Sequence, residues 1–136
     1  MKFSAKAKYA LKLLVDLAEH QNNGYISLSD ISERQNISKK YLEQIVPMLV
    51  KSGILRTNRG NKGGYMLNIP PYGCTVGDVL RATEGELIPV ENPQYESDKP
   101  VAFVWEEIHN VMEKCIDSIS VQDIIERQKD YFDYCI

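Results

Sequence analysis

A chain of 136 residues that is 43% apolar can bury one ordinary core, or form a small module carrying an accessory helix. No apolar run reaches the roughly 20 residues of a membrane span. The opening "MKFSAKAKYALKLLVDLAEH" lacks the continuous apolar stretch and cleavage site of a secretion signal, and Cys74, Cys115 and Cys135, odd in number and far apart, fit reduced cytoplasmic thiols better than a disulfide framework. The net charge of −3 averages two unlike halves. Residues 1–70 hold eleven Lys/Arg against five Asp/Glu, and residues 71–136 hold five against fourteen, an asymmetry that points to a nucleic-acid-binding first half.

In chain order, Ser4 is placed to cap a first helix reaching about His20, in which Ala7, Ala10, Leu11, Leu14, Leu17 and Ala18 recur at helical spacing. "NNG" at 22–24 ends it. Ser27 and Asp30 have capping-box spacing ahead of a short helix with Leu28 and Ile31 on its apolar face. "NIS" makes a tight turn. Ser38 then caps "KKYLEQIVPMLVKS", which stops at Gly53 and buries Leu42, Ile45, Val46 and Leu49. Pro47 inside it predicts a kink or a restart, because proline lacks an N–H and crowds the preceding turn. The strands "ILRTN" and "YMLNI" follow, the second ended by "PP".

A short helix, a tight turn, a second helix and a hairpin, in that order, make a winged helix-turn-helix. The polar face of the second of those helices carries Lys39, Lys40, Glu43, Gln44 and Pro47. Such a face can reach a major groove, where Gln suits adenine and Glu the cytosine amino group. The hairpin tip, within "RTNRGNKGGYML" at 56–67, joins Arg59 and Lys62 to Gly60, Gly63 and Gly64. A phosphate loop of the Walker type needs G-x-x-x-x-G-K-[ST] between a strand and a helix; here Lys62 precedes Gly63 and both flanks are strands. The tip therefore reads as a wing, with Arg59 and Lys62 reaching phosphates or the minor groove and the glycines letting backbone N–H groups approach DNA.

The acidic half opens with "TVGDVLRATEG", a helix capped by Thr75 and stopped by Gly85. Cys74 lies beside that cap, where a helix N-terminus can lower a thiol pKa, so it is a candidate redox thiol. Residues 86–100, polar and with three prolines, read as a loop. A long helix over about 101–117 places Val101, Val104, Trp105, Ile108, Val111, Met112 and Cys115 on an apolar seam suited to dimerisation. Ser120 caps a last short helix, and the aromatic tail "DYFDYCI" either folds back through Tyr131, Phe132 and Tyr134 or offers Tyr134 and the Ile136 carboxylate to a partner. The expected division is a DNA-binding domain over 1–72 and a helical dimerisation and regulatory region over 73–136.

"SAKAKYAL", "ISERQNISKKYLEQIV", "RTNRGNKGGYML" and "TVGDVLRATEG", in order across residues 4–85, resemble the Rrf2 family of bacterial transcription regulators. The resemblance implies a mainly helical winged helix-turn-helix protein with a small β-hairpin and a long dimerisation helix. It implies a homodimer on a palindromic operator in double-stranded DNA. Lys6, Lys8 and Tyr9 would touch the DNA backbone. Ser38, Lys39, Lys40, Tyr41, Glu43 and Gln44 would enter the major groove, and Arg59, Gly63 and Gly64 would sit in the minor groove. Cluster-binding members carry three close cysteines in the loop matching 86–100. This loop has no Cys and no His, so no metal and no cofactor is expected. That departure is similar to the cysteine-metabolism repressor branch, which also ends in an aromatic run and Ile. By that resemblance Ile136 would dock into O-acetylserine sulfhydrylase, as the C-terminal Ile of serine acetyltransferase does.

Two other classes compete. An enzyme needs a convergent acid–base or nucleophile set, and the only histidines, His20 and His109, have no motif neighbours. A winged helix that binds protein, or a family member sensing another stress through a thiol or small ligand, keeps the same fold. Steep loss of DNA affinity with salt separates a DNA binder from a protein-interaction module.

Overall fold

The computed structural model describes residues 2–58, 63–87 and 99–135, without the side chains of 99, 134 and 135. The first helix, α1 (Ala5–Glu19), is the central pillar. Its expected apolar stripe widens in the second half until every residue from Leu13 to Ala18 is buried, because neighbours close on it from several sides. Ser4 flanks α1 but does not cap it. Its N–H donates to Glu84 Oε1 at 2.9 Å and its hydroxyl donates to the same oxygen, so the residue tethers the N-terminus instead.

The helix α2 (Leu28–Gln35) begins where the Asp30 N–H donates to Ser27 Oγ at 3.2 Å; Asp30 does not return the bond. It ends at Asn36, whose φ of 53° is a left-handed turn that asparagine tolerates. This turn drops Ile37 into the core and starts α3 (Lys39–Lys51). The Tyr41 N–H donates to Ser38 Oγ at 3.1 Å. Leu42, Ile45 and Leu49 are wholly buried, each stabilising the fold by about 1.5–3 kcal/mol. The expected restart at Pro47 does not occur, and α3 runs through it as one element. Pro47 is exposed, so the carbonyl its missing N–H leaves free, that of Glu43, sits on the face open to water.

Strands β1 (Leu55–Asn58) and β2 (Gly64–Leu67) pair antiparallel, from Leu55 with Leu67 to Asn58 with Gly64. The hairpin is pinned at its side by Ile26, which exchanges two backbone hydrogen bonds with Tyr65, at 2.9 and 2.8 Å.

The helix α4 (Val76–Glu84) opens with a full capping box between Thr75 and Asp78. Helix α5 (Lys99–Asp117) starts slightly earlier than expected and packs on α4. Helix α6 (Val121–Cys135) is one element of 15 residues, replacing the expected short helix and tail. Ser120 and Asp123 form a reciprocal cap at its start. Cys74, Val79, Val121 and Ile125 share a single core cluster with Leu13, Leu42 and Leu55. The boundary expected at 72/73 therefore crosses continuous packing: α4 and α6 close the back of the head against α1.

Candidate nucleic-acid interface

On α3 the buried stripe turns the opposite face outward, and Lys39, Lys40, Glu43, Gln44 and Pro47 are all exposed. Ser38 sits at the same end, its oxygen occupied by the cap bond while its hydroxyl hydrogen remains available to a phosphate. Tyr41 is half-buried and meets Tyr9 of α1 edge to face, with ring centroids 5.2 Å apart at 78°. The ammonium groups of Lys8 and Lys12 lie 5.6 and 5.8 Å from the Tyr9 ring centroid, within reach of its π-face. The structure thus brings Lys8, Tyr9 and Tyr41 into one basic, aromatic strip beside the exposed face of α3. Lys6 is half-buried and joins none of these contacts. Sequence reasoning missed Lys12; its signal was the spacing of four from Lys8, which places both on one helix face.

A second unforeseen group holds the two-helix unit to α1. Asp16 is fully buried, and Arg34 of α2 donates to its two carboxylate oxygens at 2.9 and 2.7 Å. Gln35 adds a bond at 3.0 Å. Burial pushes the Asp16 carboxyl up, but the bonds from Arg34 and Gln35 and the guanidinium charge outweigh it, and its pKa lies below the ordinary aspartate value. The orientation of α2 on α1, and through the turn that of α3, depends on this ion pair.

At the wing, Arg59 and Lys62 lie outside the described residues, and Gly63 is exposed. Gly64 is buried, and a Cβ there would stand 2.6 Å from the Ile26 carbonyl oxygen. Close packing of β2 on residue 26 accounts for glycine at this position without any approach to DNA. Arg56, exposed on β1, is a further cation at the base of the hairpin.

Other expected residues find different surroundings. Cys74 is fully buried; burial and then the nearby Asp78 carboxylate push its thiol up to about 11. The lowering that made Cys74 a candidate redox thiol does not occur, because burial first and the Asp78 carboxylate second both disfavour the thiolate. The α5 seam divides. Trp105 and Met112 are half-buried and Ile116 is buried, whereas Val101, Val104, Ile108, Val111 and Cys115 form an exposed stripe. Tyr131 and Phe132 do not fold back; they are exposed on α6, and Ile136 and the Tyr134 side chain lie outside the described residues. No described helix is long and apolar enough to cross a membrane.

Known proteins share this fold. The Rrf2 family, described as iron-dependent transcriptional regulators, matches residues 3–127. The chain is 35% identical over 125 residues to the HTH-type transcriptional regulator CymR of Bacillus subtilis, covering 91% of this chain and 89% of that protein. The structure of CymR, the global cysteine regulator of B. subtilis, superposes with a TM-score of 0.81 at 34% identity over 93% of this chain and 98% of that one. The structure of T. potens IscR gives 0.79 at 34% identity, over 96% and 90%. These relatives are regulators of transcription, not enzymes, and the chain belongs to the Rrf2 family of winged-helix, DNA-binding transcriptional regulators.

Proposed function

We propose that the protein is a homodimeric repressor of sulfur and cysteine metabolism genes that binds a palindromic operator without an iron–sulfur cluster. The carrying observation is the exposed α3 face, Lys39 to Gln44, set beside the Lys8–Tyr9–Tyr41 strip. Gln44 and Glu43 read base edges, while Ser38, Lys8, Lys39, Lys40 and Lys12 hold phosphates. Arg59, Lys62 and Gly63 complete the contact from the wing tip. A second copy covers the exposed α5 stripe of Val101, Val104, Ile108 and Val111, setting two heads on two half-sites.

The family description speaks of iron, but the residues here do not fit a cluster. Residues 86–100 supply no Cys or His. Cys74 is sealed in the core, Cys115 is on the outer face of α5, and among the described residues no three His, Cys, Asp or Glu side chains converge on one point. Similarity to the cysteine regulator of B. subtilis supports the choice of target genes.

The tail is the proposed route for the signal. Tyr131 and Phe132 are exposed on α6, and Tyr134 and Ile136 are the proposed docking end for O-acetylserine sulfhydrylase. Calorimetry with the purified sulfhydrylase is expected to show binding that deletion of Ile136 abolishes; indifference to the deletion removes this partner. Mobility shifts across a salt series test the DNA reading, with a steep loss of affinity expected. Iron in protein purified without oxygen overturns the cluster-free reading.

A further inference from the structure

Between the flank of α1, the end of α2 and α6 lies a cleft of about 280 Å³ that meets the DNA face only at Lys12. Its floor is apolar, made by Leu11, Val15 and Ile124. Lys12 lines one end and Glu19 the other. The amides of Gln35 and Gln128 stand on the walls, Gln128 Nε2 lying 3.4 Å from the Glu19 carboxylate. Ligand pockets span roughly 300–1,000 Å³; this cleft lies just below that range and suits a small molecule of metabolite size.

The charges set the length and kind of that molecule. Lys12 and Glu19 are seven residues apart on one helix, which sets their backbones about 10.5 Å apart along its axis. A free α-amino acid holds its two charges within a single residue and reaches one end alone. Three extended residues span about 10 Å. Opposite charges at the two ends, amides between them and an apolar floor match a molecule with a carboxylate, an ammonium, peptide groups and a central apolar side chain.

We propose that this cleft binds a short zwitterionic peptide, its carboxylate at Lys12, its ammonium at Glu19 and its middle side chain on Leu11, Val15 and Ile124. The peptide acts on the head at two points. Lys12 is one of the two cations over Tyr9, which meets Tyr41 of α3 edge to face; a carboxylate bound there draws charge from the DNA strip. Gln35 shares Asp16 with Arg34, so an amide contact to it bears on the seating of α2. This effect on DNA rests on the DNA-binding function proposed above; occupancy of the cleft does not.

Calorimetry of the full chain with the tripeptide Gly-Leu-Gly is the test. Saturable one-to-one binding is expected, weakened about tenfold or more by N-acetylation and C-amidation of the peptide, with no saturable heat from glycine. The exposed substitutions Lys12→Ala and Glu19→Gln should each weaken it about tenfold, and Ile124→Trp should fill the floor and remove it. Absence of saturable heat, or binding indifferent to end-blocking and to both exposed substitutions, overturns the site. The peptide is then titrated against a duplex selected by the protein from a random pool. Reduced affinity for that duplex is expected, and an unchanged affinity overturns the coupling. Failure to select any duplex removes the DNA reading, while the calorimetry still decides the cleft.

Discussion

Asp16 shows how much one side chain can hold. It is fully buried, with both oxygens bonded to an Arg34 that is one-third exposed. Breaking a buried pair costs roughly 3–5 kcal/mol. Because water still reaches Arg34, Asp16→Ala should cost about 3 kcal/mol, at the low end of that range, as measured by urea unfolding. The folded carboxyl has a pKa below the ordinary 3.8. Its stabilisation is therefore complete above that value and is lost as pH falls through the lower folded value. Melting temperatures of the parent and Asp16→Asn, followed from about pH 7 to about pH 3, should converge only below the ordinary aspartate range. Convergence near neutral pH would assign the acid sensitivity to another group. Cys74 gives a second test at this scale. With its thiol near 11, about one molecule in ten thousand is thiolate at pH 7. Peptide mapping after iodoacetamide treatment of native protein should find Cys115 alkylated and Cys74 untouched. Rapid labelling of Cys74 would restore it as a redox candidate.

Helix α3 meets two demands with its two faces. The Ser38 cap and the Leu42–Ile45–Leu49 stripe hold it in place; Lys39, Lys40, Glu43 and Gln44 are left free of structural duty. Ser38→Ala should cost about 1 kcal/mol of stability. Gln44→Ala should leave stability within about 0.5 kcal/mol while costing about 1–3 kcal/mol of operator affinity, read by competition against random DNA. Equal losses on both DNAs would remove its base-reading role. The α4–α5 pair rests on a different device. Gly77 is buried where any Cβ would overlap the Asp117 carboxylate, and Asp117 in turn holds Arg81 at 2.8 and 2.9 Å. Gly77→Ala should loosen α5 from the head, seen as faster amide exchange along α5 with α1–α3 unchanged.

For the whole molecule the decisive feature is the uncovered stripe on α5, where Val111 is 64% exposed and Val101 and Ile108 about 40%. In the proposed dimer, Ile108→Glu buries an unpaired charge against a second copy. Sedimentation should then show monomers whose heads keep their helical signal but lose cooperative binding to two half-sites. A dimer of unchanged stability would move the interface elsewhere. Because Ile108 is exposed within its own chain, failure to fold is not expected.

The helices, their caps at Ser27, Ser38, Thr75 and Ser120, the hairpin and the polar face of α3 were legible in the sequence, because each depends on neighbours within a turn or two and on a period that the residues print directly. The family motifs over residues 4–85 carried the DNA-binding reading for the same reason: they are local. Long-range packing decided the rest. Whether Cys74 was an activated thiol or a sealed one depended on Val121 and Ile125 of α6 closing over the same core. Which half of the α5 seam faced inward depended on where α4 lay. Nothing local marked Asp16 within its apolar run; its role came from Arg34, 18 residues on, packed beside it. Gly64 looked like a wing-tip glycine until Ile26, from the far side of the helix-turn-helix, was found against it. A charge, a thiol or a glycine takes its meaning from desolvation and close contact, and those are properties of the neighbours that only the folded chain supplies.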